Sequence, residues 1–279
     1  MLKIVTDSTA YLPEAYAREH DIRVVPLYVH FGTEAFREGV DLSHDEFYAR
    51  LKKAPELPTT SQPSAGEFHE VFEELAGEGH DIVTLPISSK LSGAWDSAMA
   101  AKQMLPQANI QVIDTLETAA ALHLLVEAAV KAAAAGATLQ EVTDLIEDLK
   151  KKVHFWFVVD TLEYLAKGGR IGNARAFMGT ILKVKPILIL QDGAIEPCEQ
   201  VRSKAKAQAR MVELLIEAMG SKGSDARIIV ASALVPDEVQ SLSQLITQKL
   251  DCAEPLRSHI GPVIGTHVGP GTIGAAAYV

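Results

Sequence analysis

Asp81-Ile82-Val83-Thr84-Leu85-Pro86-Ile87-Ser88-Ser89-Lys90-Leu91-Ser92-Gly93 is the stretch on which the fold turns. Asp81–Leu85 is a short apolar run with the look of a buried strand, and Leu91–Met104 reads as a helix. The hydroxyls of Ser88, Ser89 and Ser92 therefore fall on a strand-to-helix turn. Unpaired backbone N–H groups and the positive end of the helix dipole converge at such a turn, so it can receive an anion.

Outward from this turn, strand and helix signals alternate. Lys3–Thr6 and Arg23–Phe31 read as strands on either side of a helix near Pro13–His20, with Pro13 suited to a first turn. Three capping boxes, Ser43/Glu46, Ser64/Glu67 and Thr138/Glu141, each open a helical pattern. Strands at Asp81–Pro86 and Asn109–Thr115 lie between them. This order predicts a mostly parallel sheet flanked by helices, with its ligand site at the carboxyl ends of the strands.

The pattern changes near residue 154. His154–Asp160 reads as a strand and leads into a short helix ending at Gly168-Gly169. Lys185–Gln191 and Ala194–Val201 are strand-like and joined by Asp192-Gly193, a hairpin signal. Helices near Ser203–Gly220 and Pro236–Leu250 flank a strand at Ala226–Ala233. The expectation is an α/β protein of two domains. Residues 1–153 form an N-terminal α/β domain, and residues 154–279 form an α+β domain with a mixed or antiparallel sheet. No low-complexity linker separates them, so they should pack tightly.

Composition narrows the functional classes. The 279-residue chain is 48% hydrophobic and 22% charged, ordinary for a soluble globular protein. A net charge of -10 argues against a duplex-binding surface, so no nucleic-acid partner is expected. Cys198 and Cys252 have neither metal-ligand spacing nor the look of a disulfide framework. Met1–Val5 runs straight into a strand without a leader pattern. The apolar run at Ala119–Ala135 is interrupted by His123, Glu127 and Lys131, short of the roughly 20 residues a bilayer span needs. A cytoplasmic protein without stable membrane insertion is expected. Asp7, Asp41 and Asp114 could each end a strand, but nothing groups them as ligands, so no metal is expected.

Three further segments carry polar groups that a core would not request. Pro58-Thr59-Thr60-Ser61-Gln62-Pro63-Ser64 is either a cap with a turn or part of a site. Tyr164-Leu165-Ala166-Lys167-Gly168-Gly169-Arg170 has glycines that fit a helix C-cap, or a contact to phosphate or a partner. The glycine-rich stretch Ile260–Thr272 holds His267, a core histidine or a functional one on a flexible strand end.

These segments resemble the DegV family. The opening Ile4-Val5-Thr6-Asp7-Ser8-Thr9, then Thr60-Ser61-Gln62-Pro63-Ser64 and Ile87-Ser88-Ser89-Lys90-Leu91-Ser92-Gly93, match its blocks. So do Leu165-Ala166-Lys167-Gly168-Gly169-Arg170-Ile171, Lys185-Pro186-Ile187-Leu188, Val201-Arg202 and Ile264-Gly265-Thr266-His267-Val268-Gly269-Pro270-Gly271. They fall in the family's order along nearly the whole chain. The resemblance implies a non-catalytic, bacterial fatty-acid-binding protein. It would hold one long-chain, palmitate-like fatty acid in a buried pocket, with no cofactor. It would present the carboxylate to a separate ATP-dependent fatty-acid kinase subunit, which makes the acyl phosphate. On the same grounds Thr60, Ser61, Ser92, Gly93 and His267 would hold the carboxylate. Arg170 and Arg202 would lie near the head group or on the partner-facing surface. One departure follows Val112-Ile113-Asp114: relatives continue with serine and glycine-spaced residues, whereas Thr115-Leu116-Glu117-Thr118-Ala119-Ala120-Ala121 stands here.

Two rival functions fit some of the same residues. A serine hydrolase would use Ser92 as nucleophile and His267 as base, but Ser92 lacks a Gly-x-Ser-x-Gly elbow. A small-phosphate or nucleotide-using enzyme would use Gly168-Gly169-Arg170, but the phosphate-loop and dinucleotide fingerprints are both missing.

Overall fold

The computed structural model describes residues 1–178 and 184–279. Strands in chain order are β1 (Leu2–Asp7), β2 (Arg23–Val25), β3 (Tyr28–Phe31), β4 (Glu34–Arg37), β5 (Thr59–Ser61), β6 (Asp81–Leu85) and β7 (Ile110–Val112). They continue with β8 (His154–Val158), β9 (Lys185–Gln191), β10 (Ala194–Val201), β11 (Arg227–Ser232), β12 (Leu256–His259) and β13 (Ile273–Tyr278). Helices are α1 (Glu14–Glu19), α2 (His44–Leu51), α3 (Ala65–Gly77), α4 (Ala94–Met104) and α5 (Ala119–Ala134). Five more follow: α6 (Leu139–Leu149), α7 (Glu163–Lys167), α8 (Lys204–Met219), α9 (Pro236–Leu250) and α10 (Pro262–Val268).

The expected parallel sheet is present, with strand order β2-β1-β6-β7 and every pair parallel. The second half builds a mixed sheet in the order β10-β9-β8-β13-β11-β12, antiparallel except for β11 with β12. The Asp192-Gly193 turn has φ of 49° and 81°, the left-handed pair that a two-residue hairpin of this twist requires. All three capping boxes form, with the Ser43, Ser64 and Thr138 side chains accepting from the backbone N–H three residues on.

Three readings change. Arg23–Phe31 is two strands in different sheets: β2 joins the parallel sheet, and β3 centres an antiparallel sheet β4-β3-β5. Pro26 interrupts the run, lacking a donor for either ladder. Helix α4 begins at Ala94 rather than Leu91, so Ser92 lies in the turn that precedes it. His267 lies in helix α10, and not on a strand end.

Helix α5 explains the interrupted apolar run. From Ala119 to Val130 every residue is buried, as expected of a helix that is apolar on all sides. It packs between the two larger sheets, touching β1 and β6 on one and β8, β11 and β13 on the other. Glu127 is tolerated inside because Arg227 of β11 donates to it through Nε at 3.0 Å, and Lys131 lies 3.0 Å away. The main apolar cluster runs from Ile4 to Ala276 through both sheets, while a second one lies under α8 and α9. Among the described residues, no helix is long and apolar enough to cross a membrane.

Candidate functional site

Carboxylates at two strand ends hold the hydroxyl turn. Asp7, fully buried at the end of β1, accepts from Ile87 N at 2.6 Å and from Thr9 N and Oγ1 at 2.9 and 2.6 Å. Asp114, just past β7, accepts from Ser89 N and Oγ. Ser88 Oγ donates to Gly193 O at 2.8 Å, which ties the turn to the β9–β10 hairpin. Ser88 and Ser89 are thus occupied in building the turn. Ser92 differs: its Oγ accepts from Ala94 N at 3.3 Å, leaving the O–H to donate elsewhere, and it lines a cavity. A β-carbon at Gly93 would stand 3.0 Å from Gln62 Nε2, so the turn abuts the loop after β5.

Strand β5 presents Thr60 and Ser61. Ser61 Oγ lies 2.9 Å from His30 Nε2 on β3, and Thr60 Oγ1 lies 2.8 Å from His267 Nε2 on α10. Burial, with the nearby Arg170 cation, pushes His267 down to about 4, so its ring is neutral at neutral pH. With the proton on Nε2, His267 donates to Thr60, whose own O–H is then free for a third atom. Nδ1 is buried without a hydrogen-bond partner among the described residues.

The glycine pair has two separate causes. A β-carbon at Gly168 would fall 2.2 Å from His267 Nδ1, so only glycine lets α7 and α10 approach this closely. Gly169 has φ of +72° and closes α7: Gly169 N donates to Ala166 O at 3.2 Å and Arg170 N to Leu165 O at 3.1 Å. That pair of bonds is a Schellman cap. It delivers the Arg170 side chain to the site, where Nη1 donates to Gly168 O at 2.8 Å and Nε to Leu91 O at 3.2 Å.

These groups meet at one cavity of about 760 Å³, its open mouth included. Its half-buried and exposed lining residues are Thr60, Ser61, Gln62, Leu91, Ser92, Arg170 and Ile264, most of them polar. The buried wall is apolar for the most part, with Leu27, Ile87, Phe155, Phe157, Leu190 and Ile195 among its residues. Of the residues expected from sequence, Thr60, Ser61, Ser92, His267 and Arg170 line this space. Gly93 backs it through Gln62, and Arg202 is exposed beyond β10, away from the lining.

The hydrolase geometry does not assemble. His267 Nε2 is engaged by Thr60, and no group among the described residues orients Nδ1. Nor do three or more His, Cys, Asp or Glu residues gather as metal ligands among the described residues. Sequence reasoning missed His30, Gln62 and the aromatic wall. Gln62 was at hand in the same loop as Thr60, but His30 becomes a partner of Ser61 only through strand pairing.

A largely apolar cavity whose more exposed lining carries hydroxyls and a guanidinium, with a buried imidazole against them, is a site for an amphipathic small molecule. The chain belongs to the DegV family: the family model described as an uncharacterised protein of the DegV family matches residues 1–279. It is 42% identical over 280 residues to DegV domain-containing protein BH3627 of Halalkalibacterium halodurans, covering 100% of this chain and 98% of that one. A fatty-acid-binding DegV family protein from Thermus thermophilus has a similar structure, with a TM-score of 0.94 at 34% identity, covering 99% of each chain. A stearic-acid-binding protein from Eubacterium ventriosum superposes with a TM-score of 0.93 at 30% identity, covering 100% of this chain and 98% of that one.

Proposed function

We propose that this protein binds one long-chain fatty acid in the cavity and presents its carboxylate to a separate ATP-dependent kinase subunit, without catalysis of its own. The carboxylate is held by Thr60, Ser61, Ser92 and the Gly93 backbone, with neutral His267 completing the set by orienting the Thr60 hydroxyl. The observation that carries this reading is the meeting of these side chains in the lining of one largely apolar cavity. The fatty-acid binding of similar structures supports it.

The energetics are consistent. About fifteen methylenes at ~0.8 kcal/mol each gain on the order of 12 kcal/mol by leaving water. Chain ordering and association entropy offset part of this. A carboxylate at the mouth needs several donors; the Thr60, Ser61 and Ser92 hydroxyls supply them, and neutral His267 frees the Thr60 O–H by donating to its oxygen. Arg170 already donates to two backbone carbonyls, so it biases the potential without locking the head group in a bidentate ion pair. A carboxylate held this way is firmly bound and still free to attack a phosphoryl donor.

The strands of the two smaller sheets lie within residues 1–153 and those of the mixed sheet within 154–279, which supports two domains with the cavity between them. Exposed Arg202 is proposed as part of the surface that meets the kinase.

The test is extraction of purified protein followed by mass spectrometry, then addition of a fatty-acid kinase subunit with ATP. A co-purifying long-chain fatty acid and acyl phosphate formed only with both proteins present are expected. A bound nucleotide, or failure to bind any fatty acid, would overturn the reading.

A further inference from the structure

Tyr11 and Glu38 are buried, and neither lines the cavity where the site residues meet. Both instead reach across to helix α10. Glu38 Oε1 accepts from Val263 N at 2.7 Å. Tyr11 OH accepts from Ile264 N at 3.1 Å and donates to Glu38 Oε1 at 3.1 Å. Ser8 Oγ donates to Glu38 Oε2 at 2.6 Å, which fixes the carboxyl from its other side. Side chains from residues 1–153 thus meet N–H groups in the first turn of a helix from residues 154–279. Tyr11 sits at φ of +47°, a costly conformation for so bulky a residue. A β-carbon at Gly261 would lie 2.3 Å from its ring, so glycine there is what lets the ring approach.

The segment they grip has a cavity on each side. Ile260, Val263 and Ile264 line the site cavity, whereas Gly261 and Pro262 line a second one together with Tyr11 and Glu38. His267 lies four residues beyond Val263, one turn further along the same helical face. Its ring has little room. Nε2 is 2.8 Å from Thr60 Oγ1, and a β-carbon at Gly168 would fall 2.2 Å from Nδ1. A hydrogen bond of that length is lost when its partners part by about 1 Å. The placement of α10 therefore decides whether His267 reaches Thr60.

We propose that Tyr11 and Glu38 are positioning residues for the head-group site. They hold α10 where His267 donates to Thr60, and so keep the Thr60 O–H free for the carboxylate. This rests on the fatty-acid reading above. Neither residue touches the ligand.

The test compares Tyr11→Phe, which keeps the ring and removes only the hydroxyl, with Glu38→Leu and with Glu38→Gln, which keeps an acceptor for Val263 N. Affinity for octadecanoic acid is read by displacement of a fluorescent fatty acid. The His267 Nε2 proton is read by imidazole nitrogen–proton NMR of the unliganded protein, and identified by its loss in His267→Ala. Tyr11→Phe and Glu38→Leu should each weaken binding about tenfold, and Glu38→Gln by less than about threefold. In a His267→Ala background Tyr11→Phe should cost less than about twofold, since it acts through that ring. The Nε2 proton, slow to exchange in the wild type, should exchange fast in Tyr11→Phe. The proposal is overturned if Tyr11→Phe leaves either the affinity or the Nε2 proton as in the wild type. It is also overturned if Tyr11→Phe weakens binding by the same factor with and without His267, which would make its role a general structural one. Failure of the wild type to bind octadecanoic acid, with the Nε2 proton still released in Tyr11→Phe, is a distinct result. It would remove the fatty-acid reading and leave the positioning of His267 standing.

Discussion

Replacing Glu38 with glutamine should stabilise the protein at alkaline pH, although Glu38 accepts three hydrogen bonds. Glu38 is 4% exposed, at the end of the β3–β4 hairpin. Its Oε2 accepts from Ser8 Oγ at 2.6 Å, and its Oε1 from Tyr11 OH at 3.1 Å and Val263 N at 2.7 Å. Tyr11 OH in turn accepts from Ile264 N at 3.1 Å, so the pair holds the first turn of the helix that carries His267. Burial nevertheless outweighs these donors, and with Asp7 nearby it pushes the Glu38 carboxyl up to about 7 from its ordinary 4.5. Between those two values the unfolded chain gives up a proton that the folded protein keeps. Stability therefore falls as pH rises through that window, by about 3 kcal/mol at ~1.4 kcal/mol per pH unit. Glu38→Gln cannot ionise, and its amide oxygen can still accept from Val263 and Tyr11. The variant should match the wild type near pH 4.5 and exceed it by about 3 kcal/mol at pH 8, measured by urea unfolding. Asp7 is also buried and raised, so the difference between the two curves is the diagnostic quantity, not the wild-type curve alone. Parallel curves, or a variant less stable at pH 8, would refute the reasoning by showing that hydrogen bonding outweighs burial at this carboxyl.

Other expectations address the site directly. Ser92→Ala should weaken fatty-acid binding by about 1–3 kcal/mol with an unchanged melting temperature; equal affinity in a displacement assay would remove Ser92 from the head-group set. Gly168→Ala drives a methyl into the His267 ring, so a loss of about 1–3 kcal/mol in thermal stability together with weaker binding is expected. A fully stable variant with normal affinity would show that α7 can step aside. Arg202→Glu should leave fatty-acid affinity unchanged and, if the proposed kinase subunit docks there, slow that association, most strongly at low salt. If fatty-acid affinity falls as well, Arg202 acts at the head group.

The sequence made the parallel sheet legible because its signals are local. A Pro-bounded apolar strand, the three capping boxes and the Asp192-Gly193 turn each state their conformation within a few residues, and all three kinds of signal are found as read. Strand β13 was not legible: Ile273-Gly274-Ala275-Ala276-Ala277-Tyr278 has poor strand propensity. Its small residues suit a strand pressed against aromatics, and a β-carbon at Gly274 would lie 2.9 Å from both Phe155 and Phe157. Helix α10 was hidden by its glycines. Their spacing was a usable clue, since Gly261, Gly265 and Gly269 recur every four residues and so share one helical face. A β-carbon on Gly261 would meet Tyr11 at 2.3 Å, and one on Gly265 would meet Tyr48 at 2.5 Å. In the candidate site, hydroxyls on strand-to-helix turns could be read, but their partners could not. The Thr60–His267 bond joins positions 207 residues apart, and only the tertiary fold creates it.

The position of β13 has a consequence for the order of events in synthesis. The last strand of the chain is inserted between β8 and β11, in the interior of the mixed sheet. Until residues 273–278 leave the ribosome, β8 and β11 each carry an unpaired edge, and a nascent chain with such edges is exposed to mispairing and aggregation. The cavity walls contributed by Phe155 and Phe157 on β8 wait for the same event. Closure of the cavity wall therefore waits for residues 273–278, and deleting them would remove a central strand of the mixed sheet.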